Sequence, residues 1–282
     1  MPPPLKKRFG QHHLVNPGVV RPMLDFLAPL DGARVVDVGP GGGLLTGELL
    51  AAGAGVWGVE LDLDWAWELR RALKRRGIAT SRLQPLVMDA AEAPWGRLPI
   101  GTMVAGNLPY NVGTSILTAV LPHHQRVPRA AFLLQKEVAE RLTAAPGSRA
   151  YGSLTVFTAA HAQATILGRV RPGSFRPPPK VDSAFVGLTL RPPPLPPQEL
   201  PAFLALVREA FGQKRKTLRN ALAARGRDRV EGALAAVGLS PLARAEELPL
   251  ATWLELWREL GPSGRADSAR VDRGGPTRAH RG

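Results

Sequence analysis

The sequence predicts an α/β protein, a doubly wound sheet followed by a small all-helical domain. Three observations carry that expectation. Apolar runs with strand character alternate with helical patterns at short intervals through residue 142. Those runs end repeatedly on glycine, acidic or amide residues. After a proline run at 192–197, only helical patterns follow.

Residues 1–17 read as a basic, proline-containing arm, and Val19 to Leu30 has the spacing of a short amphipathic helix. "ARVVDVG" (33–39) is an apolar run closed by glycine, the mark of a buried parallel strand entering a turn. "LLTGELLAAG" (44–53) has helical spacing and ends on a glycine suited to a C-cap. "GVWGVELD" (55–62) is the second strand and "WAWELRRALKRRG" (65–77) a helix with a basic face. "LQPLVMDA" (83–90) and "TMVAGNL" (102–108) are the third and fourth strands, and "RAAFLLQKEVAERL" (129–142) is a fifth running into a helix. The domain so defined covers 1–191, and the prolines of 192–197 form a stiff linker. Helical patterns at 198–211, 214–225, 228–237 and 250–260 make a second domain over 198–260. The Gly-, Ser- and Arg-rich tail at 261–282 lacks apolar anchors, so disorder is expected there.

A chain of 282 residues with 44% hydrophobic content can bury a sizeable core. Its apolar runs are far shorter than the ~20 residues of a membrane span. The opening "MPPPLKKRFGQHH" has no apolar segment after its basic cluster, so no signal peptide is expected. The absence of cysteine excludes disulfides, thiolate zinc sites and thiol nucleophiles, and points to the cytoplasm. No metal and no membrane partner are expected. Against 23 acidic residues stand 37 basic ones, a formal charge of +14. A high-GC codon bias towards Arg accounts for part of that surplus. A polyanionic partner accounts for it more fully, because each neutralised phosphate releases condensed counterions.

In such sheets ligands bind beyond the carboxyl ends of the strands, where Asp37, Gly39, Glu60, Asp89 and Asn107 all fall. "DVGPGGG" lets the backbone approach a ligand at Gly39 and Gly41, just before a helix N-terminus. Glu60, 21 residues after Gly39, could accept from both hydroxyls of a ribose. This much fits NAD as well as S-adenosylmethionine. Asp89 adds an acceptor for an adenine amino group.

"GNLPYN" (106–111) ends the fourth strand. An exocyclic adenine amine is a poor nucleophile because its lone pair is delocalised into the ring. Holding both N–H groups with acceptors turns that lone pair outward. The Asn107 side-chain oxygen and the Leu108 carbonyl supply two acceptors, Pro109 fixes the carbonyl's direction, and Tyr110 can stack on the base. Asn111 receives no role.

With these motifs the chain resembles the KsgA-type rRNA adenine N6-dimethyltransferases over about residues 5 to 260. "KRFGQHHL", "DVGPGGG", "GVELD", "MDA", "GNLPYN", "LLQKEVAERL", "AYGSL", "SFRPPPKVDSA", "AFGQKRKTLRN" and "RAEEL" carry the resemblance in order. It implies a Rossmann-like class I methyltransferase sheet and S-adenosylmethionine as donor. It also implies two adjacent adenosines near the 3′ end of 16S rRNA, in the small ribosomal subunit or its precursor, as acceptors. A monomer is expected. The resemblance places His12 and Leu14 on the methionine side of the cofactor, Gly39 and Gly41 on its backbone, Glu60 on the ribose and Asp89 on its adenine. It places Asn107 against both cofactor and target amine, and Phe175 on the target base opposite Tyr110. Members commonly carry Asn-Phe where this chain has His12-His13, so either ring nitrogen of His12 would replace the amide's contact.

In the helical domain, "GQKRKTLRNAL" gathers Lys214, Arg215, Lys216 and Arg219, expected on rRNA phosphates with Lys6, Lys7 and Arg8 extending the patch. An Erm-type methyltransferase of large-subunit rRNA is the nearest rival, and a non-catalytic nucleic-acid-binding paralogue is another. An NAD-dependent dehydrogenase would leave "NLPY" and the basic domain idle.

Overall fold

The computed structural model describes Pro3, residues 12–213 and residues 216–262. The chain divides into two compact units, Met1–Pro196 and Pro197–Gly282, with the division inside the proline run.

The first unit is built on strands β1 (His13–Leu14), β2 (Arg34–Val38), β3 (Gly55–Glu60), β4 (Leu83–Val87), β5 (Met103–Asn107), β6 (Arg129–Gln135), β7 (Ala162–Val170), β8 (Phe175–Arg176) and β9 (Ser183–Leu190). Seven of them form one sheet in the order β4-β3-β2-β5-β6-β9-β7. Pairing is parallel from β4 to β6, and β9 lies antiparallel between β6 and β7. The period-2 alternation of the strands sorts their side chains onto two cores. Val36 and Val38, Val104, and Phe132 and Leu134 face one core; Val35, Met103 and Ala105, and Leu133 face the other. Helices α1 (Arg21–Leu27), α2 (Leu44–Ala51) and α3 (Leu63–Arg75) cover the second face through Met23, Leu49 and Leu69. Helices α4 (Gly113–Val120), α5 (Lys136–Leu142) and α6 (Ser153–His161) cover the first through Leu117, Ala139 and Leu154. This is the doubly wound arrangement, and Pro85 is tolerated because β4 is an edge strand.

Several elements differ from the sequence reading. The expected helix from Val19 to Leu30 is a 3-10 turn, Pro17–Val20, leading into α1. Helix α3 starts at Leu63, two residues early, because the Asp62 carboxylate caps it by accepting from the Asp64 N–H at 3.1 Å. Helices α4 and α6 and strands β7 and β9 were not anticipated. The sequence passes from α6 to β7 at His161–Ala162 without a glycine or proline, and the solvated edge strand β7 carries a register shift between Ile166 and Gly168.

The second unit holds α7 (Leu200–Phe211), α8 (Leu218–Ala221), α9 (Arg227–Ala236) and α10 (Leu250–Leu260) around buried Phe203, Leu206, Val230, Leu234, Trp253 and Trp257. The long helix expected over 214–225 is corrected. Thr217 is extended, α8 lasts one turn, and a 3-10 turn at Ala223–Arg225 ends at Gly226 with φ +95. Among the described residues no helix is long and apolar enough to cross a membrane.

Candidate active site

The turn after β2 needs glycine on physical grounds. Gly39 and Gly41 have φ +68 and +47, the left-handed region that side chains disfavour. A Cβ on Gly41 would stand 3.0 Å from the His13 ring. The Gly41 N–H donates to Glu60 Oε2 (3.2 Å), and the Asp62 N–H donates to Glu60 Oε1 (3.1 Å). Glu60 thereby ties the end of β3 to the glycine turn. Burial raises its pKa, and the two backbone donors oppose the rise.

Asp37, fully buried, accepts from the Thr46 hydroxyl through Oδ2 at 2.6 Å, while its Oδ1 has no partner. Burial pushes its pKa up to about 7, with Thr46 opposing and the Glu60 charge adding. Asp37, His13, Leu14, Gly39, Gly41 and Asn107 share the wall of one cavity.

A second cavity shares His13, Gly39, Gly41 and Asn107 with the first and continues to Glu60, Met88, Asp89, Ile116 and the loop through Val112. The Ala91 N–H donates to Asp89 Oδ1 at 2.8 Å, which holds that carboxylate at the rim. The apolar sides of Met88 and Ile116 suit the flat faces of a base.

The loop after β5 forms the remaining wall. The Asn107 amide nitrogen donates to the His12 carbonyl at 2.7 Å. This fixes the side chain with its oxygen free: among the described residues no donor reaches Asn107 Oδ1 or the Leu108 carbonyl. Pro109 turns the chain, and its carbonyl accepts from the Val112 and Gly113 N–H groups (3.2 and 3.0 Å) to start α4. Tyr110 lines the cavity; its hydroxyl hydrogen-bonds Ser183 Oγ at 2.8 Å and its ring stacks on His12 at 5.3 Å between centroids. Burial raises the Tyr110 pKa, so the ring stays a neutral phenol at physiological pH.

The structure thus brings His12, Gly39, Gly41, Glu60, Asp89, Asn107, Leu108, Pro109 and Tyr110 to one cavity, and Leu14 to the cavity that adjoins it. Two expected site residues are engaged within the protein. Phe175 does not reach either cavity wall. It is 1% exposed, pairs in register with Leu14 and shares a core cluster with Met23, Leu133 and Phe185, so its ring is covered by the core in this conformation. The His12 Nδ1 hydrogen-bonds the Pro177 carbonyl at 2.8 Å, which leaves Nε2 as the ring nitrogen it can offer to the cavity it lines. His12 also holds Asn107 through its backbone carbonyl and stacks its ring on Tyr110. Arg219 forms a part-exposed ion pair with Glu231 at 2.5 Å. Lys216 is exposed, while Lys214, Arg215 and Lys6, Lys7 and Arg8 lie outside the described residues. Sequence reasoning missed His13, Ser183, Asn111 as a cavity residue, and the unpaired Asp37 oxygen. Only the last had a signal, an acid inside a continuous apolar strand.

The strand order, and glycines, acids and an amide at the carboxyl ends of its parallel strands, define a class I methyltransferase. A dimethyladenosine transferase from Plasmodium falciparum shares the fold, with TM-score 0.71, 23% identity, and coverage of 89% of this chain and 99% of that one. The 23S rRNA methyltransferase ErmE superposes with TM-score 0.66 at 26% identity, over 88% of this chain and 98% of its own. The model of the family described as ribosomal RNA adenine dimethylase matches residues 4–261, and the chain belongs to that family. Among relatives are the ribosomal RNA small subunit methyltransferases A of Methylococcus capsulatus and Pseudomonas aeruginosa. The first is 42% identical, covering 91% of this chain and 98% of the relative. The second is 39% identical, covering 90% and 94%.

The methyl donor of this family is S-adenosylmethionine, and the residues present suit it. A buried carboxylate oxygen without a partner matches a cationic amino group. A glycine-walled turn leaves room for a backbone-sized ligand segment, and Glu60 at the strand end matches a ribose.

Proposed function

We propose that this chain dimethylates the N6 amines of two adjacent adenosines near the 3′ end of 16S rRNA, in the small ribosomal subunit or its assembly precursor, as a cytoplasmic monomer. One observation carries the chemistry: Asn107 Oδ1 and the Leu108 carbonyl, on adjacent residues of one cavity wall, lack any donor among the described residues. An amine has two N–H groups to give them. The small-subunit assignment draws support from the printed names of relatives at 39–42% identity.

In this reading Asp37 takes the cofactor's ammonium group, Glu60 its ribose hydroxyls and Asp89 its adenine amine, with Leu14 and the Gly39–Gly41 turn against its methionine part. Bound S-adenosylmethionine supplies an electrophilic methyl group. Asn107 and Leu108 hold the target nitrogen by its N–H groups and turn its lone pair out of the ring plane. Tyr110, locked by Ser183 and backed by His12, supports the base. Desolvated, fixed acceptors of this kind do their work without reorganising as charge develops. The proton released after transfer leaves to water, since none of these residues needs to act as a general base. In the helical unit Lys216, with Lys214 and Arg215, contacts rRNA phosphates.

Asn107→Ala tests the clamp. Methyl transfer to rRNA should fall about 100- to 1,000-fold, the usual consequence of removing one such polar stabiliser. Affinity for rRNA should change by no more than a few fold. Turnover close to that of the native chain would refute the clamp.

A further inference from the structure

Helix α3 carries an exposed stripe that the site chemistry leaves unused. Its buried face is Trp65, Ala66, Leu69 and Leu73, so Trp67 is not needed for packing. Trp67 is 71% exposed and Leu63 53%. Residues 63, 67, 71 and 74 recur at three- and four-residue spacing and therefore share one side of the helix. The basic residues of this segment divide into two groups. The Arg70 guanidinium donates to the Thr80 and Leu83 carbonyls, Arg75 pairs with Glu68, and Arg76 donates to the Gly43 carbonyl near Glu48. Arg71 and Lys74 are exposed and have no acidic partner among the described residues. Two residues before the stripe, Leu61 lines the cavity that holds Glu60 and Asp89.

We propose that this stripe is a second rRNA contact, on the catalytic unit itself: Trp67 stacks on an unpaired base while Arg71 and Lys74 take neighbouring phosphates. An indole beside two uncompensated cations is the combination that binds single-stranded nucleic acid without reading sequence. The chain's charge of +14 favours RNA over a protein partner here. From Leu63 to Lys74 the helix rises about 16 Å, room for a short strand to track from the cavity rim. The proposal rests on the rRNA substrate argued above.

The test uses the full chain and a protein-free fragment of the 3′ region of 16S rRNA. Trp67→Ala should weaken binding about tenfold, and Trp67→Phe should recover most of the loss. Arg71→Ala with Lys74→Ala should lower the slope of log affinity against log salt by about 1.4 to 1.8. Binding of S-adenosylmethionine should be unaltered in all three, which reports a folded cofactor site. Native affinity and slope in these variants overturn the proposal. So does a Trp67→Ala defect seen only with particles carrying ribosomal proteins, which would assign the stripe to a protein. If the native chain methylates no rRNA, the functional reading fails instead, and the two failures are distinguished.

Discussion

Asp37 shows what a single buried carboxylate does at the end of a parallel strand. Fully buried and with one hydroxyl donor, it keeps its proton up to about pH 7 in the folded chain. The unfolded side chain ionises near 3.8. The sign follows: the contribution to stability is full below about pH 4, declines as pH rises towards 7, and is constant above that. A cofactor ammonium beside the unpaired Oδ1 favours the ionised form, so binding below pH 7 releases a proton. Affinity for S-adenosylmethionine should therefore climb as pH rises to about 7, by at most about tenfold per pH unit. Asp37→Asn should bind more weakly and with a flatter pH profile, as read by calorimetry in buffers of different ionisation enthalpy. Identical profiles for the two proteins would contradict the assignment. Glu60, Asp89 and Asn107 were legible in the sequence because each closes an apolar run. Ser183 was not, since it meets Tyr110 across 73 positions and nothing local marks it.

At the scale of elements, the site depends on how closely β2 and β5 approach. Gly106 lies opposite Val38, and a Cβ there would come within 2.5 Å of the Val38 carbonyl oxygen. That atom is backbone and cannot swing aside, so Gly106→Ala should force the two strand ends apart just where Gly39 and Asn107 face the cavities. A stability loss of about 1–3 kcal/mol is expected from such overpacking, together with a fall in methyl transfer larger than any loss of rRNA binding. Thermal unfolding and single-turnover transfer check this; a native melting point would contradict it. The two-stranded β1–β8 ribbon explains the burial of Phe175. Pairing of Leu14 with Phe175 brings both side chains into the same core. Sequence spacing exposed the parallel strands, whose apolar runs are bounded by glycine and polar residues. It hid β7 and β9, because an antiparallel edge pair owes its place to partners far along the chain. It also hid α4, whose first turn is shaped by Pro109 rather than by a cap residue.

For the whole molecule, the sequence conveyed the division at the proline run and the polyanionic partner, but not the distribution of free charge. Of the cations in the helical unit, Arg219 and Arg225 are committed to Glu231 and Glu209, and Arg229 donates to the Leu260 carbonyl. Composition counts such residues as available, whereas folding pairs them internally. The surplus therefore concentrates on fewer positions than the sequence suggests, Lys216 and the α3 pair Arg71 and Lys74 among them. What joins these features is the proposed transfer of methyl groups to small-subunit rRNA. The most direct measurement incubates the full chain with labelled S-adenosylmethionine and with 30S or 50S particles from a strain lacking these methyl groups. Label is expected on N6 of two adjacent adenosines near the 3′ end of 16S rRNA, and none on 50S. Label in large-subunit rRNA, or transfer to neither particle, would contradict it.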